Sequence, residues 1–382
     1  MAWGTRRDRF TFARQPCGED APTAIRLRWR SGLFRHPPGE FDVNRRLLFA
    51  FVCAALGGWV LSPRSAEAVA GGPTKITLGI AIPSYVHAVA WLAEEKGFFR
   101  ESGLEVEVIV MGGSSATMKG LVSGDLDIGL GGGDAVIKAD LAGADLAIFG
   151  GVVNRFYHRL VGSKGVAGAE QLRGGAIGLP FLGGPQDMAV QFALDELGLG
   201  YNREVEIRNM GKEYARLVAL DKGLVDAITS AAPPAMLRKM GLNVLVDLPA
   251  SDRPFPYMMM VARRRTLAER GKMVESFVEA LARAMRYYAL ERDGSLALLG
   301  EHLGADKGEP DDAYAACGPS LFSYPPYPDA RGVQAVLDFL GGQEDRELAR
   351  AGDHKAAEFI DTTILDALAA RGAFEMPAES AN

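Results

Sequence analysis

Cysteine is scarce in this sequence, and its scarcity excludes two classes of site. The 382 residues include only three cysteines, Cys17, Cys53 and Cys317. Cys17 and Cys53 fall within the first 70 residues, which are interpreted below as an extension and a signal peptide. One cysteine therefore remains in the rest of the chain, too few for a disulfide framework or for a metal site built on cysteine.

An excess of basic residues is also missing. The chain has 42 lysines and arginines against 48 aspartates and glutamates, a formal net charge of −6 at pH 7. Removal of the arginine-rich N-terminal segment would make the remainder more acidic still. Because nucleic-acid-binding proteins neutralise phosphates with a basic face, we expect no nucleic-acid partner.

The sequence has one extended apolar run, LLFAFVCAALGGWVL at residues 47–61, which is too short to span a bilayer comfortably. It follows Arg45-Arg46 and precedes an A-x-A site at Ala66 and Ala68. We interpret residues 43–70 as a signal peptide and expect a periplasmic protein without stable membrane insertion after cleavage. An uncleaved anchor and a twin-arginine signal are the alternatives. Residues 1–42 are expected to be a non-native or disordered extension.

Glycine is abundant, and its clusters do not form a nucleotide-binding motif. Residues 111–139 read MGGSSATMKGLVSGDLDIGLGGGDAVIKA, and their glycines match neither the Walker spacing nor G-x-G-x-x-G. The clusters at residues 112–115 and 131–134 each lie between a predicted strand and a predicted helix. In sheets built from parallel βαβ units, such turns lie at the carboxyl ends of the strands, where ligands bind. The pattern predicts a crevice lined by backbone N–H groups and helix N-termini.

Short strands and helices alternate in two successive sets, which predicts an α/β protein with two lobes. The segments GLVSGDLDIGL and KGLVDAITS repeat one order of glycine, acidic residue and apolar strand. We expect residues 71–156 and 255–382 to form the first lobe and residues 157–254 the second. Hinge crossovers are predicted at residues 153–164 and 252–257. One long amphipathic helix is predicted over residues 267–291, with its apolar stripe facing the first lobe.

Several blocks of the chain resemble a known family in the order in which they occur. The blocks are IAIPSYVHAVAWLAEEKGFFRESGLEVEV, GGSSATMKGLVSGDLDIGLGGGDAVIKADLAGADL, QLRGGAIGLPFLGGPQDMAVQFALDELGL, GLVDAITSAAPPAMLRKMG and AEFIDTTILDALAARGAF. They resemble the nitrate/sulfonate/taurine-type substrate-binding proteins of ABC importers. The resemblance implies a type II periplasmic binding fold in which two lobes clamp a small organic solute or anion. It also implies an importer permease as partner, a monomer, and no metal or cofactor.

The resemblance places the ligand at the strand ends of both lobes. The implied ligand-binding residues are Ser84, Tyr85, His87, Gly113, Ser114, Ser115, Gly133, Asp134, Asn154, Gly184, Gln186, Asp187, Ser230 and Tyr257. Ser84, Ser114, Ser115 and Asp134 have an alternative role as helix N-caps. His87 has an alternative role as a core or surface histidine. No lysine or arginine lies in these loops, and Asp134 and Asp187 would repel an anion unless they cap helices.

No catalytic arrangement is visible, so we expect a binding protein and not an enzyme. Neither G-x-S-x-G nor H-E-x-x-H occurs, and Cys317 has no histidine near it in the sequence. The resembled fold is shared with pyrimidine synthases of thiamine biosynthesis, which gives the alternative function. The cysteine-rich motif of those enzymes is missing here.

Overall fold

The computed structural model describes residues 72–251, 253–303, 314, 321–343 and 345–375. The predicted extension at residues 1–42, the predicted signal peptide at residues 43–70 and all three cysteines lie outside the described residues. Among the described residues, no helix combines the length and the apolar character needed to cross a membrane.

The described strands are short and belong to two sheets. They are β1 Thr74–Ile80, β2 Leu104–Val110, β3 Ile128–Gly131, β4 Leu146–Arg155, β5 Arg159–Gly162, β6 Ala176–Leu179, β7 Glu206–Asn209, β8 Ala227–Ser230, β9 Asn243–Val246 and β10 Pro254–Arg263.

The first sheet has the strand order β2-β1-β3-β10-β4. Strand β1 pairs in parallel with β2 and β3, with Leu78 opposite Val108 and Ile128. Strand β10 is antiparallel to both β3 and β4 and places Met259 opposite Gly131. Met258, Met259 and Met260 of β10 are all buried, as their continuous apolar run predicts.

The second sheet repeats this plan with the order β7-β6-β8-β5-β9. Strand β6 is parallel to β7 and β8, and β5 is antiparallel to β8 and β9. The chain leaves the first sheet after Arg155 and returns to it at Pro254, so it crosses twice between the sheets. The segment 153–164, predicted to be a crossover as a whole, instead contains the end of β4 and all of β5, with only residues 156–158 between them.

The described α-helices connect the strands and cover the sheets. They are α1 Ala88–Glu95, α2 Phe98–Glu101, α3 Ser114–Ser123, α4 Gly133–Leu141, α5 Ala169–Leu172, α6 Pro185–Leu197, α7 Glu213–Asp221, α8 Pro234–Lys239, α9 Arg264–Glu269, α10 Gly271–Leu290, α11 Arg292–Leu303, α12 Ala330–Gly341, α13 Arg346–Ala349 and α14 Thr363–Ala370.

Helix α10 attaches the C-terminal part of the chain to the first sheet. Its predicted apolar stripe is buried and includes Val274, Phe277, Val278, Leu281 and Met285. The helix packs on α1, α2, α11 and α14 and also contacts β2. The long helix predicted over residues 267–291 is divided in two at Arg270. The φ of −123° and ψ of 32° of this residue depart from helical geometry.

Candidate functional site

A small cavity of about 50 Å³ lies at the carboxyl end of β1 and β3, against the start of α6 from the second sheet. Tyr157 from the first crossover and Tyr257 from the start of β10, just after the second crossover, both line it. The lining residues are Ala81, Ile82, Ser84, Val86, His87, Ser114, Gly131, Gly132, Tyr157, Phe181, Pro185, Gln186, Tyr257 and Met258. The cavity therefore lies where the two lobes meet.

Ser84 and His87 form a polar pair at the end of β1. Ser84 precedes a 3-10 turn at Tyr85–His87, but its side chain makes no cap hydrogen bond. Its Oγ instead lies 2.8 Å from Nδ1 of His87. His87 is only 4% exposed, and burial lowers its pKa to about 4, although the nearby carbonyl of Leu130 acts in the opposite direction. The imidazole is therefore neutral at pH 7.

Ser114 and Gly132 bring the glycine-rich turns of the first lobe together. Ser114 is the first residue of α3, and the N-cap is Gly113, whose φ of +150° favours glycine. The Oγ of Ser114 accepts a hydrogen bond of 3.0 Å from the N–H of Gly132. A Cβ on Gly132 would lie 2.6 Å from both Asp134 Oδ1 and Pro185 Cγ. The absence of a side chain at Gly132 thus allows the second lobe to approach.

Asp134 lies beside the cavity wall and is fully buried. It occupies the first turn of α4, whose N-cap is Gly132, so the predicted N-cap role of Asp134 is wrong. Neither carboxylate oxygen makes a hydrogen bond of normal geometry with a described residue, and Lys138 Nζ lies 3.6 Å away. Burial raises the pKa of Asp134, and Asp187 adds to this effect, whereas Lys138 and the N–H of Ala135 oppose it.

Asp187 closes the turn before α6. Its Oδ2 accepts a hydrogen bond of 2.7 Å from the N–H of Gly183, and its Oδ1 accepts one from the hydroxyl of Tyr201. The N-cap residue of α6 is Gly184. Both oxygens of Asp187 therefore have partners within the second lobe, and the side chain does not line the cavity.

Gln186 connects the cavity to Arg216, a buried arginine that sequence reasoning did not select. The Oγ1 of Thr229 donates a 2.5 Å hydrogen bond to Gln186 Oε1. The backbone carbonyl of Thr229 accepts from Nε and Nη2 of Arg216 at 3.3 and 3.2 Å, and the carbonyl of Gly211 accepts from Nη1 at 2.5 Å. Arg216 is buried and lies close enough to Tyr157 and Tyr257 to interact with them electrostatically.

The predicted site residues separate into two groups. Ser84, His87, Ser114, Gln186 and Tyr257 line the cavity. The cavity lining does not include Tyr85, Gly113, Ser115, Gly133, Asp134, Asn154, Gly184, Asp187 or Ser230.

Two residues outside the cavity have structural roles of their own. Asn154 bridges to the segment before α12, since its Nδ2 donates to the carbonyl of Tyr327 at 2.7 Å and its Oδ1 accepts from the N–H of Asp329 at 3.0 Å. Ser230 donates to Glu213 Oε1 at 2.5 Å. Both side chains stabilise the loops that surround the crevice.

Sequence reasoning did not select Tyr157 or Phe181, which also line the cavity. Phe181 follows β6, so its position after a predicted strand was the available signal. Among the described residues, no group of three or more potential metal ligands lies together.

Comparison with known proteins gives one family and one fold. The model of the NMT1/THI5-like family matches residues 84–293. YtlA of Bacillus subtilis (strain 168), which carries the name of a binding protein, is 25% identical over 222 residues. This match covers 56% of the present chain and 66% of YtlA, just under two thirds of its length.

The solved structures are more distant in sequence but cover more of the chain. The alkanesulfonate-binding protein SsuA from Xanthomonas axonopodis pv. citri, bound to MOPS, matches with a TM-score of 0.60 and 19% identity over 74% of this chain and 99% of SsuA. The periplasmic nitrate-binding protein NrtA from Synechocystis PCC 6803 matches with a TM-score of 0.58 and 14% identity over 80% of this chain and 90% of NrtA. The two sheets, joined by two crossovers, have the periplasmic binding protein fold, as expected from the sequence.

Proposed function

Because this chain belongs to the NMT1/THI5-like family, we propose that it is a solute-binding protein of an ABC importer. In this role it captures a small organic solute or anion between its two lobes and delivers it to a permease. The observation that carries the proposal is the cavity at the junction of the lobes, bounded by Tyr157 of the first crossover and by Tyr257 at the start of β10. The names of YtlA, SsuA and NrtA as binding proteins support the same role.

The proposed mechanism is closure about the two crossovers. Ser84, His87 and Ser114 come from the first lobe, and Phe181, Pro185 and Gln186 come from the second. A ligand that contacts both sets stabilises the closed arrangement, which the permease then recognises. The lobe boundaries at residues 156 and 254 are part of this proposal.

A periplasmic location is also part of the proposal, and it depends on the predicted signal peptide at residues 43–70. Delivery to the permease would require the mature protein to act as a monomer that detaches after each transfer. Expression of the full chain in a bacterial host, followed by N-terminal sequencing of the periplasmic fraction, tests this part. A mature N-terminus close to residue 69 is the expected result.

The pair formed by Ser84 and His87 could be mistaken for a nucleophile and its base. The lowered pKa of His87, about 4, makes its imidazole a weak base at pH 7. Its Nε2 makes no hydrogen bond with a carboxylate in the described part of the chain, so no third group orients the ring. These features favour binding over catalysis.

A thermal-shift screen of the purified mature protein tests the proposed function. The panel includes sulfonates, aromatic acids, aromatic amides, pyrimidines, nitrate and bicarbonate. We expect at least one solute to raise the melting temperature and to reduce the radius of gyration measured by small-angle X-ray scattering. An absence of any shift, combined with bound iron or the loss of a histidine after turnover, would instead support the pyrimidine-synthase alternative.

A further inference from the structure

The lining of the cavity carries no formal charge. None of the residues that line it is a lysine, arginine, aspartate or glutamate. Its polar side chains are those of Ser84, His87, Ser114, Gln186 and the two tyrosines, and the remainder of the lining is apolar or backbone. A charged ligand would therefore exchange its hydration shell for dipoles alone, which costs several kcal/mol when no opposite charge is close.

The helix N-termini at the cavity offer less attraction for an anion than their number suggests. Helices α3, α4 and α6 all begin there, and a free helix N-terminus favours a negative charge. The first turns of α4 and α6 contain Asp134 and Asp187, which already provide acidic groups at those ends. The N–H of Gly132 is in turn bonded to Ser114 Oγ. Only α3 has no acidic residue in its first turn.

Arg216, the buried arginine near the cavity, already donates hydrogen bonds to backbone carbonyls. All three guanidinium nitrogens of Arg216 donate hydrogen bonds to the backbone carbonyls of Thr229 and Gly211. Arg216 does not line the cavity. Three of the five N–H donors of the guanidinium are thus used within the second lobe, and the side chain lies outside the lining, so Arg216 is not a direct partner for a ligand in the cavity.

Within the cavity lining, Nε2 of His87 is a buried polar atom that a ligand could pair with. The Nδ1 of His87 is bonded to Ser84 Oγ, while its Nε2 is buried and makes no hydrogen bond of normal geometry with any described residue, although the carbonyl of Leu130 is near the ring. A buried polar atom without a partner costs about 1–3 kcal/mol, and a ligand that pairs with it recovers this energy. The neutral ring can pair with an uncharged donor or acceptor, according to its tautomer.

The aromatic rings that line the cavity favour a flat ligand. Tyr157, Phe181 and Tyr257 all line the cavity, and the rings of Tyr157 and Tyr257 meet edge to face with their centroids 4.6 Å apart. Aromatic walls bind aromatic ligands through stacked or edge-to-face contacts. The second lobe contributes Phe181, so a ring bound there would contact both lobes at once.

We propose that the ligand is an uncharged compound with an aromatic ring, and that a polar substituent or ring nitrogen of this compound exchanges a hydrogen bond with Nε2 of His87. This inference rests on the proposed function, since it specifies the solute held by the same cavity. The proposed ligand class differs from the anions named for SsuA, an alkanesulfonate-binding protein, and for NrtA, a nitrate-binding protein.

Matched pairs of compounds test the charge of the ligand. Isothermal titration calorimetry at pH 7 compares benzamide with benzoate and nicotinamide with nicotinate, and benzenesulfonate, ethanesulfonate and nitrate serve as further anions. We expect the uncharged member of at least one pair to bind at least tenfold more tightly than its anionic counterpart. Tighter binding of the anionic members, or binding of ethanesulfonate or nitrate alone, would overturn the inference.

Two substitutions test the role of His87. We expect His87→Leu to weaken binding of the preferred amide at least tenfold, whereas His87→Gln, which retains a donor and an acceptor, recovers part of the affinity. Melting temperatures of both variants show whether a loss reflects folding. Equal affinity of wild type and a folded His87→Leu variant would contradict the assigned hydrogen bond.

The failure of this inference can be separated from the failure of the proposed function. If only aliphatic or anionic solutes from the wider screen bind and close the lobes, the protein is a solute-binding protein and the inferred ligand class is wrong. If no solute of either panel binds or closes the lobes, both proposals are wrong.

Discussion

The hydroxyl of Tyr257 lies 3.1 Å from Nδ1 of His158, and this buried hydrogen bond joins the two crossovers between the lobes. His158 belongs to the first crossover and Tyr257 to the start of β10 after the second. Burial, together with the charges of Arg216 and Arg159, lowers the pKa of His158 well below its usual value, so the ring is neutral at pH 7. The ring of Tyr257 also faces the cavity. One side chain thus connects the hinge to the site.

Replacement of Tyr257 by phenylalanine should destabilise the hinge. The variant keeps the ring but leaves Nδ1 of His158 without this hydrogen-bond partner, which costs about 1–3 kcal/mol of unfolding free energy. Urea unfolding at pH 7 measures the change. Tyr214→Phe is the matched control, because Tyr214 is 73% exposed and should tolerate the change within about 0.5 kcal/mol. Equal losses in the two variants would show that the hinge hydrogen bond contributes nothing specific.

Gly132→Ala should hinder the approach of the lobes. Gly132 has a φ of −68°, so alanine fits its backbone, but the new methyl group would overlap Asp134 Oδ1 and Pro185 Cγ. Overpacking of this kind costs about 1–3 kcal/mol, and we expect the best solute of the screen to lose about tenfold or more in affinity. Small-angle X-ray scattering with that solute should give a larger radius of gyration than for wild type.

Gly271→Ala controls for the general effect of an added methyl group, because a Cβ on Gly271 would meet no atom within 4 Å. Unfolding free energies of both variants reveal any effect on folding alone. Unchanged affinity and unchanged scattering for a folded Gly132→Ala variant would show that the lobes do not close at this contact.

The buried histidines should make the protein sensitive to mild acid. In the unfolded chain the pKa of His87 returns to about 6.5, whereas in the folded protein it is about 4. The contribution of His87 to stability is therefore complete above pH 6.5 and is lost as the pH falls toward 4, by about 3 kcal/mol in total. His158 adds a loss of the same sign.

Urea unfolding between pH 7.5 and 4.5 measures this dependence. We expect His87→Gln to flatten it, because glutamine does not titrate. His354→Gln is the control, because His354 is partly exposed and its ring contacts the exposed carboxylate of Glu358. An equally steep loss of stability in wild type and His87→Gln would mean that the acid sensitivity arises elsewhere.

The glycine-rich turns show how far the sequence alone could lead. Strand-to-helix turns at residues 112–115 and 131–134 were predicted because apolar strands precede them and helical patterns follow, and the structure has turns at both places. Strands β5 and β9 were not predicted, because they lie outside the repeated strand–helix–strand pattern and form through antiparallel pairing of β5 with β8 and β9. The sequence pattern of parallel βαβ units does not reveal such strands.

The site residues divide for a similar reason. Ser84, Ser114 and Gln186 directly follow predicted strands or turns, so sequence position selected them, although their binding roles stay a prediction. Tyr157 and Phe181 reach the cavity only because the crossover and the turn after β6 direct them there. An aromatic residue in a loop is more often part of a core, and nothing local distinguishes the two cases.

Asp134→Asn should stabilise the protein at neutral and alkaline pH. Burial and the nearby carboxylate of Asp187 raise the pKa of Asp134 in the folded protein above its value of about 3.9 in the unfolded chain. Ionisation of Asp134 therefore lowers stability at pH values above the folded pKa, and this penalty disappears as the pH falls below the unfolded pKa. Asparagine has a similar shape and carries no charge, so we expect a gain on the order of 1 kcal/mol at pH 8 that shrinks toward pH 4.

Urea unfolding at pH 8, 6 and 4.5 tests this expectation, with Asp195→Asn as the control because Asp195 is exposed on helix α6. The control should change stability little and without a trend in pH. A wild type more stable than Asp134→Asn at pH 8 would contradict the prediction, because Lys138 and the N-terminus of α4 would then stabilise the carboxylate more than burial and Asp187 destabilise it. Asp187 belongs to the second lobe, so loss of the charge on Asp134 also removes a repulsion between the lobes. We therefore expect Asp134→Asn to favour the approach of the lobes and to give a smaller radius of gyration than wild type at pH 8.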